Sequence, residues 1–357
     1  MSLNNVRALG DDRPWKDEVE REVNKIWDTL RYSNSLTSSS LSRTSAAVIP
    51  STNFLINGGF DFWQRGTSFS ASGYTADRWY FTETGICTVS QETTLLPPGF
   101  NYALKALAAT SNDSVDLYQP MENIVVTPLR SKTVTFSCYL KMDTNMQAQS
   151  GAFELVAYYS TSSDARASQT TLIGTVAVDK SLYTDWARAT YTFVVPTDAV
   201  GLMVGIEPPL CDSSQPQYWV TGTMLEIGSS ATEFRRAGST WTQEQQACQR
   251  YYYRLTNPSA ATNAIASGAY YSTTACYVPF RMPVSMRIAP TLATSTASNF
   301  LILAGGASRA ASAIAQYGTV ATDVVTMNVT TSAGTAGQGA WLETATNGAW
   351  LEFSAEL

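Results

Sequence analysis

The groups on this chain that could do chemistry are carboxylates and aromatic rings. It contains no histidine, which excludes Ser-His-Asp and Cys-His nucleophile systems, histidine-ligated zinc and imidazole acid–base catalysis. Cleaving a glycosidic bond needs two carboxylates about 5–10 Å apart, one with a raised pKa. Asp61, Asp116 and Glu154 are candidates, but no recognisable constellation joins them, and the coil repeats of a long parallel β-helix are absent. Cys87, Cys138, Cys211, Cys248 and Cys276 are odd in number and scattered, without a CxxC pair. They read as reduced, apolar core thiols rather than zinc ligands or a disulfide framework. The expectation is a protein that is not an enzyme.

Aromatic residues are densest in "NFLINGGFDFWQRGTSFSASGYTADRWYF", residues 53–81. Phe60, Phe62 and Trp63 could offer flat faces to a ligand, but core packing accounts for them more simply. Asp77 and Arg78, as neighbours on a strand, would face opposite sides and take separate partners. Tyr74 lies in a glycine-flanked loop, where an aromatic has less packing reason to be. With Arg78 and Trp79 it forms the candidate ligand contact.

The elements that must position these residues change along the chain. Trp15, Val19, Val23, Ile26 and Leu30 make one apolar stripe behind Pro14, with Asp17, Glu18 and Glu20 where a helix dipole favours acids. The Ser-rich linker at 33–51 has little to bury and reads as a tether. The helix within 1–32 is therefore expected to self-associate or dock on a partner. From 52 to 238 strands take over: "TVTFSCYLK" puts Val134, Phe136, Cys138 and Leu140 on one face, and "WARATYTFVVP" turns Ala187, Ala189, Tyr191, Phe193 and Val195 inward. Such spacing predicts an antiparallel β-sandwich, a jelly roll. A linking helix is expected within 239–256, with Thr242 as cap and Gln245 completing a capping box. Short strands return over 257–357 as a smaller C-terminal β-sandwich domain, with "WLETATNGAWLEF" reading as a hairpin turned at Asn347-Gly348. The fold class is thus mainly β.

Net charge is −6 and only 15% of residues are charged. Without a basic cluster, nucleic acid and anionic membrane surfaces are not expected partners. No apolar run is long enough to cross a bilayer and the polar start is not a secretory signal, so neither membrane insertion nor export is expected.

Four pieces in order, "NFLINGGFDFWQRGTSF…TADRWYF", "MLEIGSSATEFRR", "CQRYYYR" and "FRMPVSMRIAPTL" with the terminal "LEFSAEL", resemble a family of bacteriophage virion proteins over residues 52–357. Its members are tail fibres and related appendages in which a carbohydrate-binding-module-like jelly roll precedes a small β domain. The resemblance implies a virion protein assembled in the host cytoplasm that adheres to host surface polysaccharide. It also implies a homotrimer joined through the N-terminal helix, which would dock on other virion proteins. A head or collar role that is purely architectural, and a polysaccharide-degrading tailspike, are the alternatives. In such jelly rolls a carboxylate placed like Glu226 helps hold a structural calcium beside the N-terminal turn, here Asn57 to Gly59; oxygen ligands of that kind suit the ion.

Overall fold

The computed structural model describes residues 52–212, 215–318 and 320–357. The stripe Trp15, Val19, Val23, Ile26 and Leu30 and the linker at 33–51 lie outside the described residues, as does the expected association through them.

Two six-stranded antiparallel sheets face each other. The first runs β1 (Ser68–Phe69), β4 (Cys87–Glu92), β5 (Ala103–Ala108), β12 (Gln217–Ile227), β7 (Thr133–Met142), β10 (Ala187–Val194). The second runs β2 (Gly73–Tyr74), β3 (Tyr80–Thr84), β6 (Ser114–Met121), β11 (Gly201–Glu207), β8 (Phe153–Ser160), β9 (Thr171–Val178). Period-two alternation sends one side of each sheet into a shared core. Val134, Phe136, Cys138 and Leu140 of β7 are fully buried there, opposite Leu117 of β6, Leu155 of β8 and Val204 of β11. All five cysteines are buried thiols.

Residues 52–67, ahead of the first strand, form none themselves. Residues 55–59 form turns, with Asn57 at φ 58 and Phe60 at φ 54. The Asn57 side chain stands in for the missing strand partner: its Nδ2 donates to the carbonyls of Phe62 (2.9 Å) and Asp77 (3.0 Å), and its Oδ1 accepts from the Phe62 amide (3.0 Å). Gly58 lies so close to the Thr223 carbonyl of β12 that a side chain would collide with it.

The linking helix α1 spans Trp241–Gln249 and is capped by Thr240, not Thr242. Thr240 and Gln243 satisfy each other's amides in a reciprocal box, two residues earlier than expected. Beyond it, β13 (Tyr252–Thr256), β22 (Trp350–Ser354) and β16 (Thr291–Thr294) form a three-stranded sheet. A seven-stranded sheet runs β18 (Ala307–Ala310), β17 (Phe300–Ala304), β21 (Gly339–Thr344), β14 (Asn263–Tyr270), β15 (Ala275–Arg281), β20 (Val324–Thr330), β19 (Ala313–Gln316). Their facing sides close a second core through Phe353, Leu351, Leu342, Met327 and Val278.

The expected hairpin at Asn347-Gly348 is not one. β21 pairs with β14 and β17, whereas β22 pairs with β13 and β16, so the turn passes the chain from one sheet to the other. Gly348, at φ 76, keeps the left-handed backbone of the turn, but its amide donates to Asn257 (3.0 Å) rather than closing a ladder.

Candidate functional site

The residues singled out as ligand contacts converge on an internal seam between the two cores. Arg78 is 1% exposed; its guanidinium lies 3.6 Å from the Tyr251 ring centroid, pairs with Glu356 and donates to the Pro120 carbonyl at 2.7 Å. Trp79 is fully buried against Phe60, ring centroids 5.1 Å apart, and donates to the Asn57 carbonyl. Tyr74 meets Tyr80 edge-on at 5.1 Å and donates its hydroxyl to the Leu357 carbonyl at 3.0 Å. The expectation of a ligand contact at Tyr74, Arg78 and Trp79 is therefore corrected: Arg78 and Trp79 are buried, and the half-buried Tyr74 gives its hydroxyl proton to Leu357.

The rest of the seam follows the same logic. Arg65 lies 3.4 Å over Tyr252 and bridges Asp77 (3.6 Å) and Glu356 (3.0 Å). Burial pushes the Asp77 carboxyl up, opposed by the Arg65 charge and the Gln64 donors. Arg250 forks onto Glu122 at 3.0 and 3.2 Å, and Tyr251 donates to the same carboxylate at 2.8 Å. Arg287 donates to the carbonyls of Ala355 (2.9 Å) and Glu356 (2.8 Å). Arg236 grips Asp61. "WQRG", "TADRW", "EFRR", "QRYYYR" and "SAEL" thus meet at one place, held by desolvated, directional pairs of the kind that fix relative orientation.

Glu226, the carboxylate expected beside a calcium, has both oxygens engaged within the chain. Fully buried, it accepts the Thr232 amide on one oxygen and the Thr232 hydroxyl on the other, each at 2.7 Å. Among the described residues, no three His, Cys, Asp or Glu side chains converge as a metal centre.

A different constellation stands on the outer face of the second sheet. Register sets Asp116 of β6 opposite Thr82 of β3, and Glu207 of β11 opposite Glu154 of β8. The β6–β11 register, Leu117 against Ile206 and Tyr118 against Gly205, continues to place Asp116 beside Glu207. Three carboxylates therefore cross three adjacent strands in one row. One row along, Tyr80 faces Tyr118, and Tyr118 lies over Gly205, where a Cβ would run into the ring and stand 2.8 Å from the Leu117 carbonyl. Tyr158 of β8 completes the group, its ring 6.3 Å from that of Tyr118 and edge-on.

Hydrogen bonding fixes what this face offers. Tyr118 (2.7 Å) and Tyr158 (2.8 Å) both donate to Oε1 of Glu207, and the Asp116 carboxylate lies 3.5 Å from the Tyr118 hydroxyl. Thr175 donates to Glu154 at 2.9 Å. Burial first, and then the Glu207 charge, raise the Asp116 carboxyl to about 7. Both tyrosyl hydroxyls are held above their usual value, by burial and then by the surrounding carboxylates. At the rim Arg166 lies 3.8 Å over the Tyr80 ring. A tyrosyl hydroxyl that has given its single proton inward can only accept from outside. The face is thus a half-exposed surface of rings and acceptors, matched to a ligand that brings apolar C–H faces and many hydroxyl donors.

No family model and no curated protein matches the chain. Among solved structures, the enzymatically active domain of tailspike protein 4 of bacteriophage CBA120 aligns over 50% of this chain and 22% of its own, with 9% identity and a TM-score of 0.34. The module TmCBM61, solved in complex with β-1,4-galactotriose, aligns over 49% and 99%, with 14% identity and a TM-score of 0.31. The CBM22-1 xylan-binding domain of Paenibacillus barcinonensis Xyn10C aligns over 46% and 94%, with 15% identity and a TM-score of 0.28. The chain covers about a fifth of the tailspike domain and nearly all of the two modules. Likeness at this level is one of general β-sandwich shape, and the functional reading has to rest on the side chains.

Proposed function

We propose that the outer face of the second sheet binds a neutral, hydroxyl-rich glycan, and that the protein is an adhesive, non-catalytic appendage of a bacteriophage virion. One observation carries the binding reading: Tyr118 and Tyr158 both spend their protons on Glu207, leaving rings and acceptors toward solvent. Aromatic faces complement the C–H faces of sugars, and oriented acceptors take their hydroxyl protons. The row of Asp116, Glu207 and Glu154 disfavours anionic glycans by like charge. The virion reading rests on the four ordered sequence pieces, all of which bear on the seam. Self-association through residues 15–30, attachment to other virion proteins there, and assembly in the host cytoplasm belong to the same reading.

Catalysis is the less suitable use of these carboxylates, although a protonated Asp116 beside Glu207 is a pairing that hydrolysis employs. Both lie within reach of the one Tyr118 hydroxyl. The hydroxyl, bonded to Glu207 at 2.7 Å and 3.5 Å from Asp116, already takes the place between the pair that a scissile oxygen would need.

Screening the full chain against an array of bacterial surface glycans and neutral plant polysaccharides tests the binding reading. The Tyr118→Phe/Tyr158→Phe variant keeps both rings and removes both acceptors; it should bind its best glycan at least about tenfold more weakly, the scale of one lost hydrogen bond or more. Equal binding by variant and parent would refute the site. Gold-labelled antiserum on intact particles tests the virion assignment separately.

A further inference from the structure

The outer face of the seven-stranded sheet is unlike an ordinary solvated sheet face. An antiparallel sheet with one side in a core normally turns polar and charged residues outward. Here the outward positions include Leu301 and Leu303 on β17, Trp341 on β21, Ala269 on β14, Tyr277 and Pro279 on β15 and Ala315 on β19. Of the charged groups on this side, Arg281 at one end is paired with Asp323 (3.6 Å), and Glu343, the register partner of Leu301, is only 8% exposed. Trp341 is 55% exposed, Tyr271 71% and Tyr317 46%.

Three of these aromatics are already ordered. Tyr271 stacks on Tyr277 with ring centroids 5.1 Å apart and planes 17° apart, and Tyr277 stacks on Tyr317 at 4.2 Å and 26°. Tyr277 is covered on both faces, so the column presents the free faces of Tyr271 and Tyr317 and a line of ring edges. Trp341 stands on β21, two strands from β15 and so about 10 Å across the sheet. Asn328, the register partner of Tyr277, keeps its Oδ1 buried without a hydrogen-bond donor.

We propose that this face is a second carbohydrate-binding surface, taking an extended neutral glycan laid across the strands from Trp341 to the Tyr271–Tyr277–Tyr317 column. The scarcity of charge gives no purchase to nucleic acid, anionic polymers or charged peptides. The hydroxyls of Ser267, Thr326 and Thr330, alternating with the apolar positions, suit a chain that is apolar on its ring faces and polar at its edges. Rings held by stacking before the ligand arrives lose little freedom on binding, which favours affinity. The surface shares no residue with the Asp116–Tyr118–Glu207 face, so the two assignments stand or fall separately. Two weak sites on one chain would hold a polymer by effective concentration.

The test uses the full chain in the Tyr118→Phe/Tyr158→Phe background and compares it with the same protein carrying Tyr271→Ala/Tyr317→Ala or, independently, Trp341→Ala. Linear β-1,4-glucan, β-1,4-xylan and β-1,4-galactan are the probes, read by affinity electrophoresis and titration calorimetry, with sedimentation run on each protein. All three substituted residues are exposed, and a melting curve matching the parent confirms the fold. Retention on at least one polymer in the background, falling about tenfold or more with either added substitution, is the expected result. The proposal is overturned if no probe is retained in the background, or if the added substitutions leave retention unchanged. It is equally overturned if they convert an oligomer to a monomer, which would make the face a contact between copies of this chain.

Discussion

Replacing Asp116 by Asn should remove a pH dependence of stability that the wild-type fold carries. Its carboxyl stands at about 7 in the folded chain against an ordinary 3.8, because burial and the neighbouring Glu207 disfavour its charge. Below pH about 4 the folded and unfolded chains both hold the proton, and the group is neutral to stability. As pH rises to about 7 the unfolded chain releases it while the folded chain keeps it, so stability falls through that window and stays lost above it. Moving a carboxyl from 3.8 to about 7 corresponds to about 4 kcal/mol at full weight. The side chain keeps some contact with water, and about 2 kcal/mol is the discounted figure. Urea unfolding of both proteins at pH 4.5 and pH 8 supplies the comparison. The stability of Asp116→Asn relative to wild type should increase by about 2 kcal/mol between the two conditions. Parallel pH profiles would refute the placement of Asp116 beside a charged Glu207.

Two further substitutions probe the seam and the sheet face. Arg78→Ala removes one of the two guanidinium groups on Glu356, leaving Arg65, and uncovers the Tyr251 face in a buried setting; it should lower unfolding stability by about 2–3 kcal/mol in urea titrations. Gly205→Ala pushes a methyl group into the Tyr118 ring; it should cost about 1–3 kcal/mol by overpacking and weaken glycan binding, both measurable on one sample.

Alternation made the sandwich legible: "TVTFSCYLK" named its own buried face, and Cys138 could be placed inward without any other information. The linking helix was legible to within two residues at its cap. What alternation does not contain is which strand lies beside which. Asp116, Glu154 and Glu207 each sit at an outward phase of its own strand, but their meeting depends on the β6–β11–β8 order, and those strands are separated along the chain by other sheets' strands. The same gap produced the false hairpin, since a good local turn says nothing about whether its flanks pair with each other. Arg78 and Trp79 were misplaced for a related reason. Strand geometry was assumed for residues that lie in or beside a turn, with Arg78 at φ 73, and the C-terminal segment that covers them is distant in sequence.

The seam has a consequence for how such a molecule would select a surface. Tyr74, Arg65 and Arg78 tie the closing residues of the second core into the first, Arg287 reaches from the second to Asp164, and the three guanidinium groups are sheltered from solvent. A joint made this way has no swivel, so the directions in which the two aromatic faces look are set relative to each other. Recognition would then depend on whether a target displays its chains at the matching angle and separation, a test of layout that a pair of loosely hinged modules could not impose.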